Sequence, residues 1–206
     1  MLLAIDTSAG SSVAVVDRDG GVLSERSVPD TMRHAEVIGD LIKGSLDDAG
    51  VAIARLSGVA VGMGPGPFTG LRVGIAAARA FGLGANKPVV RVVSHDAIAY
   101  ERYTKGHQGG MLVVTDARRR ELYWSAYVGV DEHGLPLRED GPGLCKPDDV
   151  PHSALARVDA TEVSAGALGM LAEFLFLHGR PFAANEPLYL RSPDVTLSNG
   201  PKRVSG

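Results

Sequence analysis

Leu2-Leu3-Ala4-Ile5-Asp6-Thr7-Ser8-Ala9-Gly10-Ser11-Ser12-Val13-Ala14-Val15-Val16-Asp17, followed closely by Asp19-Gly20-Gly21, decides the fold. Leu2 to Ile5 reads as a short buried strand that ends in three small polar residues, Asp6-Thr7-Ser8. Ala9-Gly10-Ser11 turns the chain into a second strand, Ser12 to Asp17. Asp19-Gly20-Gly21 is a hairpin signal that sends a third strand back over Val22 to Val28. Three strands without an intervening helix make an antiparallel meander. A dinucleotide-binding βαβ unit would instead place a helix after the first strand.

Working outward, Ile38, Leu41, Ile42, Ser45, Leu46 and Ala49 recur at the spacing of one helix face, which predicts a helix from about Thr31 to Ala49. Asp30 or Thr31 is positioned to cap it, and Gly50 to end it. Leu56 to Val61 reads as a strand, Gly62 to Pro67 as a loop, and Phe68 to Leu83 as a helix closing at Gly84. Val89 to Val93 is a further strand, and Ser94 caps a short helix through Tyr100. The order β-β-β-α-β-α-β-α over roughly the first hundred residues resembles one lobe of the α/β actin-like and sugar-kinase-like ATPase (ASKHA) architecture. Lys105 to Gly110 reads as a linker, which sets a first lobe at residues 1–104 and a smaller one at 105–206. In the second lobe Met111 to Thr115 and Leu122 to Val130 read as strands, Gly134 to Pro147 as turn-rich chain, and Glu162 to His178 as a helix. The tail after about residue 192 is expected to be flexible.

Composition narrows the function classes. Lys and Arg number 21 against 24 Asp and Glu, a net charge of −3, so no global basic field exists to hold a polyanion. A single cysteine, Cys145, excludes an internal disulfide and a multi-cysteine zinc site. Cys145 has no base or helix start beside it in sequence, which argues against a reactive nucleophile. The six histidines form no His-x-x-x-His or His-Glu-x-x-His helix, so no metal site is expected. Asp6 ends the apolar opening run, and no basic segment precedes that run, so no signal peptide is expected. Arg79 breaks the apolar stretch from Val73 to Ala85, too short to span a bilayer. A soluble, cytoplasmic protein without membrane contact is expected.

Three stretches carry chemistry. At Asp6-Thr7-Ser8, a carboxylate suited to Mg²⁺ precedes small polar residues suited to phosphate, as in actin-like ATPases. The alternative is a turn capped by the Asp6 side chain. The loop Gly62-Met63-Gly64-Pro65-Gly66-Pro67-Phe68-Thr69-Gly70-Leu71-Arg72 lacks the Gly-Lys-Ser/Thr ending of a Walker A loop, and Pro67 breaks the dinucleotide glycine spacing. Thr69 offers a cap to a helix whose positive end favours an anion, while a purely structural tight turn remains the other reading. Gly70, Gly74, Ala77 and Ala78 give the following helix a face of small residues, for packing within the lobe or against a partner. Two such helices from each of two chains would make a four-helix contact. Asp116-Ala117-Arg118-Arg119-Arg120-Glu121 reads as a charged turn; a solvated hairpin tip is the commoner use, and phosphate contact the alternative.

At this point the residues resemble the TsaB (YeaZ) family. The similarity rests on Leu3-Ala4-Ile5-Asp6-Thr7-Ser8, His34-Ala35-Glu36, Gly64-Pro65-Gly66-Pro67-Phe68-Thr69-Gly70-Leu71-Arg72-Val73-Gly74, Asp116-Ala117-Arg118, Lys146-Pro147 and Pro187-Leu188-Tyr189-Leu190-Arg191. These stretches span nearly the whole chain in the family's order. Pro67 departs from the serine frequent in the family, and the second lobe is short. The resemblance implies a two-lobed actin-like fold and a non-catalytic scaffold subunit. It implies work with the catalytic paralogue TsaD and the ATPase TsaE, which together place threonylcarbamoyl on the adenosine beside the anticodon of tRNAs reading A-starting codons. The paralogue carries a metal-binding His-x-x-x-His that this chain lacks, which argues against independent catalysis and against a protease. On this reading His34, Val37, Ile38, Leu41, Arg72, Val73 and Gly74 contact the paralogue, or a second copy in a homodimer when the paralogue is missing. Asp6, Thr7, Ser8, Gly64, Gly66 and Thr69 are a vestigial nucleotide site, holding ATP and Mg²⁺ weakly or only in the complex, and tRNA is met indirectly. The alternative class is an active actin-like ATPase or small-molecule kinase using Asp6 and the Gly62–Gly70 loop. Against it stand the missing second glycine loop and the missing catalytic base.

Overall fold

The computed structural model describes residues 1–30 and 32–191. The expected cap at Thr31 and the flexible tail from about residue 192 lie outside the described residues. The opening strands form as read: β1 (Leu2–Asp6), β2 (Ser11–Asp17) and β3 (Gly21–Val28) are an antiparallel meander. β4 (Gly58–Gly62) and β5 (Val89–Val92) join in parallel on the other side of β1, giving the order β3-β2-β1-β4-β5. β1, β2 and β4 are buried on both faces, which is why they read as unbroken apolar runs. Alternation along each strand divides their side chains between two layers. Leu3, Ile5, Val13, Val15, Val59 and Val61 face α1 (His34–Ala49) and α2 (Phe68–Ala85). Ala4, Ala14, Val16 and Ala60 face the opposite layer.

The second half repeats the plan in reduced form. β6 (Met111–Asp116), β7 (Leu122–Val130), β8 (Pro136–Cys145) and β9 (Ala156–Ala160) lie in the order β8-β7-β6-β9. The meander is again antiparallel, and β9 is again parallel to the first strand of its meander. This is the duplicated arrangement of the actin-like and sugar-kinase-like fold. The first sheet has α1 between its third and fourth strands. The second has only the stretch 146–155, which contains one short 3-10 turn, Pro147–Asp149.

Two strands escape the sequence reading. β8 carries Pro136, Gly141, Pro142 and Gly143, residues that read as turns but are tolerated on a bulged edge strand, and its pairing with β7 slips register three times. β9 is five residues of mixed polarity. Helix boundaries also move. Arg33 occupies the α1 cap position without a capping bond from its side chain, which pairs with Glu36 instead, while Asp30 accepts the Met32 N–H just upstream. Pro67, not Thr69, precedes α2, and α2 ends at Asn86 in the left-handed region rather than at Gly84. α3 (Ser94–Thr104) runs past Tyr100. α4 (Ala165–Leu177) begins three residues late because Ser164 caps it, accepting the Ala167 N–H at 3.0 Å.

α4 also changes how the halves relate. It belongs to the second half of the sequence but lies on β1 and β2. A Cβ added at Gly169 would come within 2.9 Å of Ala4 Cβ and 2.8 Å of Val16 Cγ2. One apolar cluster therefore runs from Leu2, Ala4 and Val16 through Val92 and Ile98 to Met111, Tyr127 and Leu168. A boundary at 104/105 separates the sheets but not this core. No helix among the described residues is long and apolar enough to cross a membrane.

Candidate functional site

β1 ends between β2 and β4, so Asp6, Thr7 and Ser8 emerge at the edge of the cleft between the sheets, buried to within a few per cent. Asp6 Oδ1 accepts the Ser8 N–H at 2.8 Å and the Ser8 hydroxyl at 2.5 Å. Its Oδ2 accepts the Ser94 hydroxyl at 2.6 Å, and that hydroxyl accepts the Gly64 N–H at 3.1 Å. Gly62 packs so tightly beneath the carboxylate that a Cβ there would overlap Asp6 Oδ2. Burial pushes the Asp6 carboxyl above its ordinary range, against the lowering effect of the bonds from Ser8 and Ser94. In this arrangement both carboxylate oxygens are engaged, and Asp6 ties β1, the loop after β4 and α3 into one point.

Thr7 does the same for α2. Its hydroxyl donates to Gly70 O at 2.7 Å and accepts the Gly74 N–H at 3.1 Å. A Cβ at Gly74 would collide with that hydroxyl, so a side chain is excluded by contact rather than by φ. Beside Gly70 stands His34, buried, with Nδ1 2.7 Å from Ser11 Oγ. The loop glycines serve close approach as well. Gly64 adopts φ +94°, and Gly66 lies against the Ser8 backbone. Of the residues read as a partner face, the structure turns His34, Ile38 and Leu41 inward, on the side of α1 that packs on β2 and β3, and Gly74 inward, on the small-residue side of α2 that meets Thr7. Arg72 is exposed, and Val37 and Val73 are partly so.

The arginine turn is not a tip pointing into solvent alone. Arg118, Arg119 and Arg120 all adopt left-handed backbone (φ 64°, 54° and 61°). For residues with a Cβ this costs about 1–2 kcal/mol each. Bonds from Ala117 N–H to Glu121 O (2.9 Å), from Glu121 N–H to Arg118 O (3.0 Å) and from Arg118 N–H to Asp116 Oδ1 (2.9 Å) hold it. The turn lies opposite the start of α2. Between them a cavity of about 340 Å³ is lined by Pro67, Phe68, Arg118, Arg119, Tyr123 and Tyr189, among others. A neighbouring groove of about 500 Å³ runs past Met32, Ala35 and Val73 to the same arginines. Thr69 lines both spaces. The approach of Tyr189 and Arg191 to this place leaves no trace in local sequence pattern; only the resemblance carried by residues 187–191 marks them.

A second polar cluster joins the sheets. His95 at the start of α3 has no solvent exposure, with Nδ1 2.9 Å from Ser125 Oγ and Nε2 2.9 Å from Thr115 Oγ1. Burial, and secondarily the Arg138 charge, push its pKa down to about 3. Next to it Asp96 Oδ1 accepts the Tyr127 hydroxyl at 2.7 Å and lies 3.0 Å from Arg138 Nε. Thus α3, from the first half, is bolted to β6, β7 and β8. Cys145 is partly buried, and burial and Asp149 hold its thiol above the ordinary range, the direction away from reactivity. Among the described residues, no group of three His, Cys, Asp or Glu is arranged to hold a metal ion.

Known proteins resemble this chain in sequence and fold. The family model described as TsaD, tRNA N6-adenosine threonylcarbamoyltransferase, matches residues 5–140. An uncharacterized protein of Mycobacterium tuberculosis is 39% identical over 202 residues, 94% of this chain and 93% of its own length. The tRNA threonylcarbamoyladenosine biosynthesis protein TsaB of Escherichia coli is 30% identical over 165 residues, 80% of this chain and 70% of the relative. Among solved structures, a Pseudomonas aeruginosa protein described by its similarity to peptidase YEAZ superposes with a TM-score of 0.78 at 26% identity. That match covers 92% of this chain and 99% of the other.

Proposed function

Because this chain belongs to the TsaB (YeaZ) family, we propose that it acts in tRNA threonylcarbamoyladenosine biosynthesis as a non-catalytic scaffold for a TsaD-type transferase. The observation that carries the non-catalytic part is the wiring of the Asp6–Ser8 turn. The carboxylate that would hold a metal–nucleotide is committed to Ser8 and Ser94, and the Thr7 hydroxyl to Gly70 and Gly74. Freeing Asp6 for Mg²⁺ would strand the Ser8 N–H and the Ser8 and Ser94 hydroxyls in a buried site, at about 1–3 kcal/mol for each unpaired group. ATP and Mg²⁺ therefore bind this chain weakly alone, or only where the partner supplies the missing groups. The histidines at 34, 95, 107, 133, 152 and 178 offer no His-x-x-x-His for transferase chemistry.

The scaffold part rests on the outer side of α1 and α2. Val37, Arg72 and Val73 are the expected contacts, with Ala35 and Met32 beside them. His34, Ile38, Leu41 and Gly74 support that surface from beneath. The same face closes a homodimer when the transferase is absent. The ATPase TsaE and the tRNA join the assembled complex in the cytoplasm, the tRNA indirectly. Reconstitution tests the reading: a tRNA transcript, threonine, bicarbonate, ATP and the other components are supplied with and without this chain. Modification that depends on the chain supports the scaffold role. Equal modification without it, or tight Mg–ATP turnover by the chain alone, would favour an actin-like ATPase or kinase instead.

A further inference from the structure

After α4 the chain doubles back across the molecule without regular structure. The Ala183 N–H donates to Arg91 O on β5 at 2.9 Å, and the Arg91 Nε–H returns a bond to Ala183 O at 3.2 Å. Further on, the Leu188 N–H donates to Met63 O at 2.9 Å, and the Tyr189 ring lies 4.7 Å from that of Phe68. The opposite end of the segment reaches the second sheet. Arg191 Nη2 donates to Arg118 O at 3.0 Å and pairs with Glu121. Residues 187–191 thus touch the loop before α2 at one end and the arginine turn at the other. Arg118 O already accepts the Glu121 N–H, so Arg191 supplies a second donor to the carbonyl at the heart of the turn. Three successive left-handed residues persist only when their surroundings over-determine them, and Arg191 is part of those surroundings.

We propose that residues 187–191 form a clasp across the mouth of the cleft between the two sheets. In it Arg191 is a positioning residue for the Arg118–Arg119–Arg120 turn, and Tyr189 one for the first turn of α2. Closed, the clasp joins turn and helix into the wall of one cavity, which Tyr189 and Arg191 also line. Released, it leaves each sheet intact and frees the turn. The clasp needs no partner, and everything that tests it is read on the isolated chain.

Hydrogen–deuterium exchange of the full chain, resolved by residue, tests it. Arg191→Ala is expected to speed exchange of the Glu121 and Ala117 amides roughly tenfold, with the global urea midpoint nearly unchanged. Tyr189→Ala should act on the Leu188 and Leu71 amides and spare the turn. Arg191→Lys keeps a charged donor and should restore at least half of the lost protection at Glu121. Unchanged protection of Glu121 in Arg191→Ala would overturn the clasp. So would a loss spread evenly over both sheets, since the segment would then be ordinary core, and so would failure of the lysine variant to restore protection.

Discussion

His95 makes folding sensitive to mild acid, and the size of the effect follows from its surroundings. The imidazole is sealed between Ser125 and Thr115, with Arg138 the nearby cation, and its pKa falls from 6.5 to about 3. A depressed pKa means that the unfolded chain takes up a proton below pH 6.5 that the folded chain refuses. Stability from this group is therefore complete above pH 6.5 and is lost as pH falls toward 3. Between pH 7 and pH 5 the loss spans 1.5 pH units below 6.5 at 1.36 kcal/mol per unit, or about 2 kcal/mol. The perturbation is His95→Gln, which keeps a donor and an acceptor but does not titrate. Urea unfolding of both proteins at pH 7 and pH 5 gives four free energies. Their double difference cancels the other titrating groups, Asp6 included. The native protein should lose about 2 kcal/mol more than the variant over this range. Equal losses would refute the reasoning, because His95 would then be protonated in the folded state and the bolt between α3 and the second sheet would be misread.

Gly74→Ala should destabilise the chain by about 1–3 kcal/mol, since its methyl group meets the Thr7 hydroxyl inside a packed seam; a lowered urea midpoint checks this. Isothermal titration of the isolated chain with Mg–ATP should show no tight binding, because Asp6 is committed to Ser8 and Ser94. A strong, Mg²⁺-dependent heat would mean that the Asp6 network opens readily.

How much of this was legible depends on the range over which each signal acts. Leu2 to Val28 declared the meander because alternation and the Asp19-Gly20-Gly21 turn are local features. The α1 stripe at Ile38, Leu41, Ile42, Ser45 and Leu46 declared a helix face for the same reason. Gly70 and Gly74 declared a close approach but not its partner; spacing is identical whether the neighbour is Thr7 or another chain. β8 was hidden by Pro136, Pro142 and its glycines, which an exposed, bulged edge accepts and a central strand would not. Position alone makes Ser94 read as a helix cap, while its hydroxyl goes to Asp6, 88 residues away. The contacts of His95, Tyr189 and Arg191 are equally remote in sequence, and no periodicity encodes them.

Light scattering on a mixture with the cognate TsaD-type transferase tests the central claim most directly, with Val73→Glu as the control. Val73 is partly exposed on α2 and Gly74 is buried, so the glutamate should leave the fold intact and remove the partner. The account predicts a one-to-one mass for the native pair, and separate masses with the folded variant. A native mixture that never associates, or a folded Val73→Glu variant that pairs as well as the native chain, would contradict it.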